Sequence, residues 1–344
     1  MALPTNTYSR HDLGTSVRED LTDFISNIAP TKTPFQMICG KTKASLDLHQ
    51  WNIDDLDDPS TNEQLDGDDH TGEVLSSPDR VGNYCQISRK AITVSGRADV
   101  VKKPGRGKET AYQLVKKGFE LRRDVEYSLL TRQIQRVGSE SEAPRSAGLP
   151  VWLRTNAVLN GATAPGAQGA TGVASAGSAG TGNGTAMKED AWLSVIQQAY
   201  DEGGDPSCVM LGTELKQKFS SYMFTDDSRI ADQYQDQGGR PSGEGARVLG
   251  AVSYYVSDFG TLEVKPNRFI PKETQGTGEV QCVFFLDPMF WKVAYLRGYH
   301  RINIAKTGDS TKRMLLVDWC LEARNEKSSG VIRGVNVDLD MSKS

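Results

Sequence analysis

The spacing of apolar residues changes period several times along the chain, and each change marks an element. Leu21, Phe24, Ile25 and Ile28 repeat at helical spacing and predict a helix over residues 18–27. Pro30 and Pro34 stop it, because each lacks an amide donor and restricts the residue before it. The phrase Ile28-Ala29-Pro30-Thr31-Lys32-Thr33-Pro34-Phe35 therefore reads as extended, with Phe35, Met37 and Ile38 free to anchor on some other surface. From residue 44 to 53 the period becomes two, as in a strand with mixed faces. Residues 84–95 form a second such stretch, where Cys85, Ile87, Ala91 and Thr93 oppose Gln86, Ser88, Lys90, Ile92 and Val94. Between them lie residues 54–79, with ten carboxylates and no Lys or Arg. Two strands joined by a long acidic tip predict an extended hairpin. Its faces are too polar to be the core of an independent domain.

Leu114, Gly118, Leu121, Val125 and Leu129, continued by Ile134 and Val137, predict the longest helix, over residues 108–137. Its length would be about 45 Å at roughly 1.5 Å per residue. Pro104-Gly105 opens it and Gly138 closes it. Residues 102–136 hold ten Lys or Arg against four acids. Residues 155–187 contain no charged and no aromatic residue, and Ala, Gly, Thr and Ser dominate. Such a segment buries too little apolar surface to offset its ordering entropy, so a flexible insertion is expected there. A compact α+β block follows. Residues 188–202 read as a helix with Trp192, Val195, Ile196, Ala199 and Tyr200 on one face, then a buried strand at 208–211. Thr213 caps a second helix reaching residue 222, and residues 224–246 form a polar loop. Strands are predicted at 251–256, 262–264, 280–286, 291–296, 301–305 and 312–323, the last two joined by Thr307-Gly308-Asp309. Residues 314–321 are apolar at nearly every position and should be covered on both faces. Trp192, Trp291 and Trp319 are expected in the core.

At 344 residues the chain suffices for two to three domains. Forty Lys and Arg against 44 Asp and Glu leave a net charge of −4, which excludes a dedicated nucleic-acid binder. No run of eighteen apolar residues exists, and residues 1–10 lack the apolar core of a signal peptide. A soluble protein made inside the cell, without a membrane partner, is expected. The five cysteines, at 39, 85, 208, 282 and 320, include no CxxC pair and read as buried free thiols. No P-loop, GxSxG elbow or HExxH helix occurs. The glycines at 180, 182 and 184 lack the preceding strand that a dinucleotide site needs. Asn62, Gln64, Asp66, Gly67 and Glu73 fall on calcium-loop positions, but Asn leads and strands flank them, so a solvated acidic loop is the reading. No catalytic, cofactor-binding or metal-binding residue is assigned. A soluble enzyme with its site at residues 225–246 is the alternative of another class.

The order of parts resembles the HK97-fold major capsid proteins of tailed bacteriophages. Ile28 to Phe35, Tyr295 to Gly298, Ile304-Ala-Lys-Thr-Gly-Asp309 and Leu321-Glu-Ala-Arg-Asn325 are similar to the subgroup typified by the SU10 head protein. The resemblance implies an α+β fold divided as N-terminal arm 1–43, E-loop hairpin 44–98, peripheral domain with spine helix 99–154, insertion 155–187, axial domain 188–298, and return strands with tail 299–344. The insertion has no counterpart in that pattern, and a fused, coiled-coil-like scaffold region is absent. It implies a shell subunit forming hexamers and pentamers, with portal, scaffolding or cement proteins as partners. Packaged DNA would be enclosed without specific binding. A virion location, after synthesis in the bacterial cytoplasm, follows, and an encapsulin-type cellular compartment is the alternative on the same fold. An isolated two-stranded hairpin is marginal in water. Residues 44–95 are therefore expected to find their stabilising surface on a neighbouring copy. The proposed inter-subunit contacts join Asp54, Asp55, Asp57, Asp58, Asp66, Asp68 and Asp69 of the tip to Lys116, Lys117, Arg122 and Arg123 of the spine helix, with Pro34 and Phe35 adding an apolar anchor.

Overall fold

In a computed structural model of the chain, the structure describes residues 29–342 apart from 58, 68–71, 73, 74, 179–182, 224–251, 276 and 277. The helix expected at 18–27 and the loop expected at 224–246 lie outside the described residues. The described chain starts with a one-turn helix α1 (Pro34–Ile38), strand β1 (Gly40–Lys43), the paired strands β2 (Leu48–Ile53) and β3 (Asp79–Tyr84), and strand β4 (Gln86–Ser95). Helices α2 (Gly96–Val100), α3 (Glu109–Leu130) and α4 (Leu149–Trp152) follow. Short strands β5 (Ala157–Val158), β6 (Gln168–Gly169) and β7 (Gly172–Val173) precede α5 (Glu189–Asp201), β8 (Cys208–Leu211) and α6 (Thr213–Met223). The last part is strands apart from two short 3-10 turns at Pro288–Phe290 and Glu326–Ser328: β9 (Tyr254–Ser257), β10 (Gly260–Pro266), β11 (Glu273–Gln275), β12 (Gly278–Leu286), β13 (Trp291–Ile304), β14 (Ser310–Ala323) and β15 (Gly330–Asn336).

Two sheets organise these elements. The first runs β1-β13-β14-β4, and α3 packs on β4 and β14. Leu121, Val125, Leu129 and Leu130 turn one face of α3 into a core shared with Trp152, Trp291, Val317, Trp319 and Leu321. The second sheet runs β5-β15-β12-β8-β10-β9, with β11 on β12. Trp192, Val195 and Ile196 of α5 meet Phe219 of α6 and Phe285 of β12, and the Trp192 and Phe219 rings stack 4.6 Å apart. All three expected core tryptophans are buried. The hairpin around residues 307–309 forms as expected, with Gly308 at φ +84; of the run 314–321 expected to be covered, 316–321 are buried but Met314 and Leu315 are half-buried.

Several expectations need correction. The long helix has 22 residues and ends at Leu130, roughly 33 Å rather than 45 Å. Thr131 is extended, and the following side chains are claimed elsewhere. Arg132 pairs with Glu273 at 2.6 Å and Gln133 donates to the Ser146 carbonyl at 2.9 Å. Pro34, read as extended, instead opens α1 at its first turn, where its missing amide costs nothing. The strand expected over 44–53 starts only at Leu48, and that expected over 84–95 is broken at Cys85. The two strands expected at 291–296 and 301–305 are one, β13, running through Gly298 with register shifts. The domain boundary expected at 298 therefore falls inside that strand. Residues 330–336, in the stretch given to the return strands and tail with no strand expected there, form β15 of the second sheet.

The small-residue segment is not a loose insertion where it is described. Val173 and Met187 are buried, and Gln135 and Gln168 tie the segment to its surroundings through the Val173 and Trp152 carbonyls, each at 2.8 Å. Thr185 and β15 exchange backbone hydrogen bonds at 2.8 and 2.9 Å. Its stabilisation comes from close backbone approach, which small side chains permit, rather than from large apolar area. Gly82 of β3 shows the scale: a Cβ there would lie 2.4 Å from the Ala170 carbonyl oxygen.

Candidate assembly surfaces

The base of the hairpin is fixed on its own chain. Trp51 packs against Trp152 with ring centroids 5.5 Å apart, and Val81 is buried in the first core. The buried Asn83 side chain donates to the Leu321 carbonyl at 2.8 Å and to Ser146 Oγ at 3.0 Å, and accepts from the Ala147 amide at 2.9 Å. His49 Nε2 lies 3.0 Å from the Glu322 carboxylate, which Arg324 also holds at 3.0 Å. Burial raises the Glu322 pKa, but these two partners outweigh it and leave the carboxyl below its ordinary value. Strand β4 joins the first sheet through ten consecutive pairs with β14. The expectation that all of residues 44–95 rest on a neighbour is therefore wrong for 48–53 and 79–95. A two-stranded ladder too weak alone is stabilised by its own body.

The tip is different. Residues 54–57, 59–67, 72 and 75–78 form no strand or helix and are exposed throughout. Leu56, Leu65 and Leu75 are 99%, 80% and 92% exposed. Asp54, Asp57 and Asp66 stand in solvent, whereas Asp58, Asp68 and Asp69 lie outside the described residues. Asp55 pairs with Lys327 of its own chain at 2.9 Å, so it tethers the root of the tip instead of reaching outward.

The basic face of α3 also divides. Lys116 and Arg122 are exposed. Lys117 is taken by Glu120 at 2.6 Å, one turn along the helix. Arg123 is half-buried with its guanidinium over the Phe269 ring at 5.7 Å. Arg122 stacks over Tyr299 at 5.8 Å and borders two neighbouring grooves of about 470 and 400 Å³ between α3, α1 and β13. Exposed Val115, Phe119 and Met37 contribute apolar edges to them.

Phe35 cannot serve as an inter-subunit anchor, because its ring is wholly inside the first core. The device that places it was not read from the sequence. Glu126, fully buried on α3, accepts hydrogen bonds from the Phe35 amide (2.7 Å), the Gln36 amide (3.0 Å), Gln36 Nε2 (3.1 Å) and Asn267 Nδ2 (2.8 Å). One carboxylate thus caps α1, satisfying two amides that have no partner inside that helix, and ties it to the loop after β10. Burial pushes the Glu126 pKa up, more than these four donors pull it down. A carboxylate between Val125 and Leu129 of the apolar stripe was the available signal.

The cysteines are free, and all but the half-buried Cys282 are buried. Among the described residues no three His, Cys, Asp or Glu side chains converge as a metal site, and no helix is long and apolar enough to cross a membrane.

An arm-side cap, a hairpin lifted off one sheet, a long helix lying on that sheet and a second α/β body together define the HK97-like shell fold. The capsid of a native GTA particle superposes with a TM-score of 0.60 at 13% identity, over 96% of this chain and 100% of that one. The SrpI encapsulin of Synechococcus elongatus PCC 7942 superposes at 0.52 with 10% identity, over 98% and 99%. At such identities these likenesses carry the fold alone. The chain belongs to the SU10 major capsid protein family, which it matches over residues 3–336. A major capsid protein of Escherichia phage Phieco32 is 23% identical over 90% of this chain and 92% of its own. The protein is a major capsid subunit, a component of the virion that builds a shell from many copies, and the encapsulin reading is not favoured over this one.

Proposed function

We propose that the subunits associate head-to-tail into hexamers and pentamers that tile an icosahedral shell around the double-stranded DNA of a tailed phage. Each acidic tip lies over the α3 helix of the next subunit, with Asp54, Asp57 and Asp66 facing the exposed Lys116 and Arg122. The observation that carries this reading is the tip itself: three strongly exposed leucines in an acidic excursion whose root is tied to its own body through Asp55. Heterologous contacts of this kind close into rings. Rim charges contribute little each but set register and orientation. The near-neutral chain suits a wall that encloses DNA without holding its phosphates. A portal and, where used, scaffolding or cement proteins would be its other partners. Synthesis would occur in the host cytoplasm, and the role would be structural, without catalysis.

Sedimentation and electron microscopy of the purified chain, across a salt series, test this. Rings or particles should form and loosen at high salt, and Asp54→Asn, Asp57→Asn and Asp66→Asn combined should shift loosening to lower salt. Assembly and salt response identical to the parent chain would overturn the tip-to-helix contact.

A further inference from the structure

Cys85 and Cys320 lie 235 positions apart in the chain yet belong to one small buried cluster with Ala44 and Ala294. The antiparallel register of β4 with β14 runs from Ser95↔Ser310 to Gln86↔Trp319. Carried one residue further, it sets Cys85 against Cys320. Directly opposed residues of an antiparallel pair point to the same face with Cβ atoms about 4.5–5.5 Å apart. A disulfide needs Cβ atoms roughly 3.5–4.5 Å apart, so a small approach closes the gap.

Cys85 is the break between β3 and β4, and its amide donates to the Asp47 carbonyl at 2.8 Å, away from β14. Both thiols are reduced in this structure. A hydrogen bond from the Cys320 side chain holds the Cys85 pKa below its ordinary value against burial, and the Cys320 pKa is pushed well up, by that same bond and by burial. The pair thus sets a thiol of lowered pKa beside one held protonated, both buried, so oxidation requires the Cys85 break to open and admit the oxidant.

We propose that Cys85 and Cys320 form an intrachain oxidation site, whose disulfide pins the point where the hairpin leaves the first sheet. The oxidant is a small peroxide. The Cys85 thiolate attacks a peroxide oxygen, breaking the O–O bond and giving a sulfenic acid and hydroxide. The Cys320 sulfur then attacks the Cys85 sulfur, forming the S–S bond. The Cys320 proton goes to the hydroxyl that departs from the Cys85 sulfur, which leaves as water, and the proton that Cys85 shed on ionising turns the hydroxide of the first step into the second water. Two thiols and hydrogen peroxide become one disulfide and two waters, with the thiols oxidised by two electrons and the peroxide reduced.

The site needs no neighbouring copy, so its test is independent of the tip-to-helix contact. Assembled shells of the full chain are treated with hydrogen peroxide, denatured in an alkylating agent, and digested without reduction. The expected result is a peptide pair joined through Cys85 and Cys320, a loss of two hydrogens per chain, and full reversal by dithiothreitol. The hairpin root should also become more resistant to protease after oxidation. Alkylation of both residues after treatment, or oxidation of Cys39, Cys208 or Cys282 in preference to this pair, would overturn the proposal. Cys85→Ser should leave Cys320 alkylatable after peroxide, and since the wild-type map decides the matter alone, a variant that misfolds removes nothing.

Discussion

Replacing Glu126 by Ala removes the acceptor on which the end of the arm, α3 and the second body converge. The Phe35 amide and Asn267 Nδ2 are buried, and each would lose its bond to Glu126, while the half-buried Gln36 groups have water within reach. Stranding a buried donor costs about 1–3 kcal/mol, so two cost about 2–6 kcal/mol. Part of this is offset, because a buried carboxylate is itself costly to desolvate. A net loss of about 3 kcal/mol should lower the melting temperature of the isolated subunit by about 5 °C. Glu126→Gln keeps one acceptor oxygen but aims an amide at the same donors, and should lie between the variant and wild type. The pH dependence has a definite sign. Because the folded carboxyl sits above its ordinary value, the native state binds its proton first, and stability from this group rises as pH falls through the raised value. The Ala variant lacks that rise. Thermal unfolding across pH, with limited proteolysis near residues 29–39, measures both. A Glu126→Ala subunit that melts with wild type and keeps that region protected would refute the capping argument.

Gly82→Ala should destabilise the subunit by about 1–3 kcal/mol, since the new methyl meets the Ala170 carbonyl, and thermal unfolding checks it. Lys327→Ala removes the Asp55 tether, and because the pair is part-exposed it should change stability by less than about 1 kcal/mol while increasing cleavage of the tip in timed proteolysis. Glu322 has the opposite sign from Glu126. Its depressed pKa contributes stability that is present above the ordinary carboxylate value and lost as pH falls through the lowered one. Acid unfolding of Glu322→Gln should therefore differ from wild type near neutrality and converge with it in acid.

Elements whose own side chains make the burial were legible in the sequence. The stripe of Trp192, Val195, Ile196 and Ala199 marked α5, and the unbroken apolar run of 208–211 marked β8. Elements set by partners were not. The apolar spacing of α3 continues through Ile134 and Val137, but Arg132 is drawn to Glu273 and Gln133 to Ser146, and the helix ends where those contacts begin. β15 is buried at every position and includes the wholly buried Arg333, which donates to the carbonyls of Pro150 and Leu153. A strand with no polar face and a buried cation gives no alternation to read. The segment from 155 was misread because hydrophobic area was the criterion, whereas Gly and Ala hold it by letting backbones touch. Charge counts marked the acidic tip, whose described residues are exposed, and the helix with basic flanks. They did not separate Asp54, Asp57, Asp66, Lys116 and Arg122, which face solvent, from Asp55, Lys117 and Arg123, which are engaged within the chain. That division depends on residues such as Lys327, 272 positions away from Asp55.

A reconstruction of the assembled shell in which residues 54–78 can be traced bears most directly on how one subunit holds the next. The tip of each hairpin should be found against α3 of the adjacent subunit, near its Lys116 and Arg122. A tip lying on the body that carries it, with the neighbour's helix bare, would contradict the account.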